Sequence, residues 1–175
     1  MGTLNTTNII TSKISPTGGV ASNQMGGVIQ YVQATHTVMT QRFTTTSSSY
    51  TASNYVVTIT PKTSSSKILI CANLSSHAAS DAYIYVRVYN VTAGRYVNSE
   101  GGVTSDAMYE SALGGKSQWG MLPVEAIDIP NSTSAQTYKL YIRSSGATVN
   151  AIGGWSSSAP NTMNFNYMSA MEFSA

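Results

Sequence analysis

From Gly27 onward, apolar side chains recur at every second position in short runs separated by turn residues. YVVTITP at 55–61 puts Tyr55, Val57 and Ile59 on one side of an extended chain, and KILICANL at 67–74 does the same with Ile68, Ile70, Ala72 and Leu74. A period of two is the signature of a strand with one face on a core. DAYIYVRVYN at 81–90 follows the rule on one side only: Ala82, Ile84, Val86 and Val88 form a core face, while Tyr83, Tyr85, Arg87 and Tyr89 occupy the other. That second face is too aromatic for one that has only to stay wet.

The same pattern predicts further strands in GVIQYVQ (27–33), THTVMTQRFTT (35–45), QWGMLPVEAIDIP (118–130), TYKLYIRS (137–144), ATVNAIG (147–153) and MNFNYMSAMEFS (163–174). SSSYTASN reads as a polar connection, TAGR (92–95) as a turn leading into YVNS, and 100–117 as a Gly-rich irregular stretch. No segment sustains a helical period. Roughly eight to ten short strands with polar turns predict an all-β fold, an antiparallel jelly-roll-like β-sandwich spanning 27–175. Residues 1–26 differ: they are rich in Thr, Asn, Ser and Gly around one small apolar patch, Ile9, Ile10 and Ile14. Alone they cannot bury enough to fold, so they read as a short extended arm ordered by packing on another body.

Composition sharpens this picture. Only 9% of the 175 residues are charged and the net charge is +2, so Ser, Thr, Asn and Gly must wet the surface. Ser, Thr and Asn compete with helices and suit strands and turns. So small a net charge, scattered along the chain, is no footprint for nucleic acid. Cys71, the one cysteine, lies inside an apolar run and reads as a small buried hydrophobe. No run approaches the about 20 apolar residues of a membrane span, and the N-terminus lacks a signal-peptide pattern.

Templates for catalysis find little purchase. GGKS at 114–117 resembles the end of a phosphate loop, but Glu110 stands where the first glycine is needed. His36 and His77 have no second ligand at metal spacing. The seven acids, Asp81, Glu100, Asp106, Glu110, Glu125, Asp128 and Glu172, are spread along the chain without a motif. Neither a cofactor nor a metal is expected, and no catalytic residue is assigned. The sequons at Asn5, Asn73, Asn90 and Asn131 are what chance provides in so Asn- and Thr-rich a chain. Trp119, Trp155 and the tyrosines carry more information, since aromatic faces stack on sugars and anchor interfaces. Trp155, within GGWSSSAPN, has loop-forming neighbours and is the candidate for glycan contact.

The order of these elements, with GGVIQ near the start, SSKI before the KILICANL strand and AMEF near the end, resembles small fibre-type virion proteins of tailed bacteriophages over most of residues 1–175. The stretch 100–117 has no counterpart in that likeness. The resemblance implies a homotrimer whose N-terminal segment, with Ile9, Ile10 and Ile14, docks on other virion proteins while a β-sandwich projects outward, in some cases to adsorb to a host. It also implies localisation on the phage particle. In such a trimer one sheet of each subunit faces its neighbours, which would bury Tyr83, Tyr85 and Tyr89 between subunits. Two other readings share or approach this fold: a capsid decoration protein whose arm staples capsid subunits, and a carbohydrate-binding or carbohydrate-cleaving sandwich.

Overall fold

The computed structural model describes residues 27–35, 43–78, 83–97, 110–111, 118–145, 149–151 and 166–174. Among them every regular element is a strand: β1 (Val28–Gln33), β2 (Phe43–Thr45), β3 (Thr51–Ile59), β4 (Lys67–Ala78), β5 (Ile84–Asn90), β6 (Arg95–Tyr96), β7 (Glu110–Ser111), β8 (Gln118–Asp128), β9 (Gln136–Ser144), β10 (Val149–Ala151) and β11 (Tyr167–Phe173).

All pairings are antiparallel and form two sheets. In the first, β1, β11, β4 and β8 lie side by side, with β10 pairing the far end of β4 and β2 outside β10. In the second, β3, β9 and β5 lie side by side, and β6 and β7 share the outer edge of β5 at opposite ends. The long strands therefore alternate between sheets along the chain, and the orders 1-11-4-8 and 3-9-5-6 are those of two interlocked Greek keys. The fold is an antiparallel jelly-roll β-sandwich.

Strict alternation makes the core. Ile84, Val86 and Val88 of β5, Tyr138, Leu140 and Ile142 of β9, and Tyr55, Val57 and Ile59 of β3 face Ile68, Ile70, Ala72 and Leu74 of β4, Leu122, Val124 and Ala126 of β8, and Met168 and Ala170 of β11. These are the inward positions the sequence pattern assigns to β3, β4 and β5; Ala82 lies outside the described residues. Pro123 interrupts β8, but β8 is an edge strand, where a missing N–H leaves no ladder bond unmade.

The strand boundaries depart from the sequence reading in two places. Of the strand predicted at 35–45, residues 36–42 lie outside the described residues and Phe43–Thr45 forms β2. The connection predicted at 47–54 ends early, because β3 begins at Thr51 and passes through a bulge between Ala52 and Val56. There Ser53 Oγ donates to the Leu140 carbonyl at 2.7 Å and accepts the Tyr55 N–H at 3.2 Å, replacing ladder bonds that the bulge interrupts. Within 100–117, predicted irregular, Glu110 and Ser111 pair with Tyr85 and Ile84 as β7. That strand is two residues long and is held by its partner, not by its own pattern.

The two ends of the sandwich differ. At one end the connections 60–66, 91–94 and 129–135 are short and hydrogen-bonded. Gly94 there takes φ +66° and Asn131 φ 51°, left-handed values that these residue types tolerate. Gly27 and the C-terminal end of β11 lie at this same end, since Val28 pairs with Phe173 and Phe173 with Lys67. At the opposite end lie the exits of β4 and β9 and the starts of β5 and β8, with β2 and β10 beside them.

Candidate functional site

A sandwich standing alone in water needs two polar outer faces; the first sheet does not supply one, and the second mixes aromatic with charged side chains. On the second sheet, Tyr85, Arg87 and Tyr89 of β5 lie beside Lys139, Tyr141 and Arg143 of β9, all half-buried. The rings of Tyr89 and Tyr141 stand 4.7 Å apart, and Tyr96 of β6 meets Tyr89 edge-on at 4.9 Å. Tyr50 closes the group at 5.8 Å from Tyr96. The Arg87 guanidinium sits 4.7 Å from the Tyr50 ring centre, and that of Arg143 3.7 Å from the Tyr85 ring centre. These are cation–π distances that fix the planar heads against the rings.

Of the residues expected at a subunit contact, Tyr85 and Tyr89 thus belong to one tyrosine–arginine surface. Tyr83 stands before β5 and has a different role: its N–H donates to Ser145 Oγ at 2.9 Å and its carbonyl accepts the Ser145 N–H at 3.1 Å. Trp155, Ile9, Ile10 and Ile14 lie outside the described residues, as does His36.

The outer face of the first sheet went unread in the sequence. Register sets Tyr31, Met171, Leu69 and Ile127 in one row across β1, β11, β4 and β8. Gln33, Ser169, Cys71 and Glu125 form the next row, followed by Tyr167, Asn73 and Pro123. Eight large apolar side chains are exposed among the described residues, and all but Val91 belong to β1, β8, β11 or the residue after β8. Exposure is therefore concentrated on this sheet. Burial and then the Glu125 charge push the Cys71 thiol up. Asn73 Oδ1 is sealed from water without a hydrogen-bond partner.

The acids do structural work at the short-loop end. In the inward row Gln30–Glu172–Ile68–Asp128, both carboxylates are buried. Glu172 Oε1 accepts the Lys62 N–H and Ser66 Oγ–H, and Oε2 accepts Gln30 Nε2–H, each at 2.6 Å. Burial alone would raise its pKa, but these donors outweigh it and hold the carboxyl below the ordinary glutamate range. Asp128 Oδ2 accepts Asn90 Nδ2–H and Tyr138 O–H at 2.9 Å, while its Oδ1 pairs with Arg95. Burial, with the Asp128 charge and hydrogen bond adding to it, pushes the Tyr138 phenol far above its usual range. Asn90, a sequon position, is fully buried in this network. Both carboxylates therefore cap the core and pin loops.

Among the described residues no group of three or more His, Cys, Asp or Glu side chains could hold a metal, and no helix is long and apolar enough to cross a membrane. The architecture defines an antiparallel jelly-roll sandwich with two unusual outer faces. No family model matches the chain, and no curated protein matches it either.

Proposed function

We propose that this protein is a non-enzymatic structural protein of a tailed-bacteriophage particle, a homotrimeric fibre or knob held to the virion by residues 1–26 and contacting the host cell surface at its other end. The observation that carries this reading is the polarity of the sandwich. The N-terminal segment joins at Gly27, beside the short pinned loops, whereas the segment containing Trp155 joins the sheet at Ala151 and Asn166, towards the opposite end. A body anchored at one end and offering contact residues towards the other is what adsorption requires.

Jelly rolls serve viral shells and lectins alike, and the resemblance in strand order adds to that reading. Stacking of a neutral sugar on Trp155 contributes on the order of 1 kcal/mol, and three copies on one particle-bound trimer raise the effective affinity.

The test is binding of purified protein to host cells, compared with Trp155→Ala. Strong binding that falls at least tenfold in the variant supports host contact through this loop. Equal binding by both returns Trp155 to packing, and no binding by either favours a capsid decoration protein with the same anchor.

A further inference from the structure

We infer that the outer face of the β1–β11–β4–β8 sheet, centred on the row Tyr31–Met171–Leu69–Ile127, is the surface through which copies of this chain associate, leaving the tyrosine–arginine face outward. The inference deepens the homotrimer part of the reading above.

Tyr31 is 54% exposed, Met121 45%, Tyr167 41% and Ile127 38%, and they share a face with half-buried Leu69, Met171 and Phe173. In an isolated antiparallel sandwich these outward positions should alternate as polar residues. The run from Ile68 to Ala72, apolar on both sides, has instead the composition of a strand covered on both sides.

Four strands at about 4.8 Å, on average about nine residues long at about 3.3 Å each, give a face of roughly 570 Å² in flat projection. Side-chain relief raises its accessible area towards the roughly 800 Å² per partner of a stable interface.

Lys67 and Glu125 are the charged residues at the described outward positions of this face, one of each sign, so a second copy meets no net repulsion there. The other sheet presents Arg87, Lys139 and Arg143 at its described outer positions, and two such faces would bring like charges together in a drying contact.

Sedimentation velocity and native mass spectrometry of the full chain at micromolar concentration provide the test, with Tyr31→Glu and Ile127→Lys as face variants and Thr58→Lys, exposed on β3 of the other sheet, as control. An oligomer that both face variants convert to folded monomer, and that the control leaves intact, supports the inference. An oligomer unmoved by both face variants overturns the face but not the self-association. A wild-type monomer overturns both, and detection of the chain in the particle remains a separate measurement. Should the face variants not fold, alkylation of Cys71 in the wild-type protein decides: a rate that rises at least tenfold on dilution to monomer supports the covered face, and an unchanged rate overturns it.

Discussion

At Glu172 a fully buried carboxylate is kept ionised by donors from two separate parts of the chain, Gln30 and the 60–66 connection with Lys62 and Ser66. The folded state holds this group charged at pH values where the unfolded chain takes up a proton. Its stabilisation is therefore complete above the ordinary glutamate pKa of about 4.3 and is lost as pH falls through and below it. Glu172→Gln should lower the melting temperature at neutral pH and flatten the decline in stability below about pH 4, because the variant has no proton left to gain. Thermal melts of both proteins across the acid range check this. A variant with an unchanged acid limb would overturn the assignment of that limb to Glu172.

At the scale of the element, the β5–β6 turn shows how a few residues terminate one strand and aim the next. Asn90 Oδ1 accepts the Ala93 N–H at 2.9 Å, and Gly94 then adopts φ +66° so that Arg95 reaches Asp128. A Cβ at Gly94 would meet nothing within 4 Å, so only the backbone conformation opposes a larger residue. Gly94→Ala should cost about 1 kcal/mol, measured by denaturant unfolding, with no change in the tyrosine–arginine face. A cost near zero would mean that the turn relaxes to negative φ. The bulge in β3 is a comparable device, in which Ser53 Oγ supplies the bonds that a regular ladder would have made.

For the whole molecule, the asymmetry between the two ends leads to a prediction about the arm. The described residues from Gly27 onward include a core of twenty buried apolar residues and two polar caps hydrogen-bonded among themselves. A chain beginning at Gly26 should therefore keep the circular dichroism spectrum and melting temperature of the full protein, yet fail to enter particles in a complementation assay. Loss of folding on truncation would make the arm part of the domain.

Strand positions and their inward faces were legible because alternation is a local property of extended backbone: Ile68, Ile70, Ala72 and Leu74 announce their side in the order of the sequence itself. The tyrosines opposite Ile84, Val86 and Val88 were equally visible as a second, aromatic face. The roles of the acids were not. Glu172 and Asp128 look alike in sequence, and their donors lie up to 142 positions away, so only the closed sandwich reveals them as caps. The second apolar face did leave a trace, the unbroken run from Ile68 to Ala72, but a run says only that both sides of a strand are apolar. That Leu69 stands in one row with Tyr31, Met171 and Ile127 depends on hydrogen-bonded register among four strands drawn from both ends of the chain. The sequence alone determined the strands and which side of each turns inward, since backbone geometry sets that residue by residue. Tertiary structure decided which strands are neighbours and hence what the outer surfaces are, because a surface is a sum over strands that the chain order keeps apart.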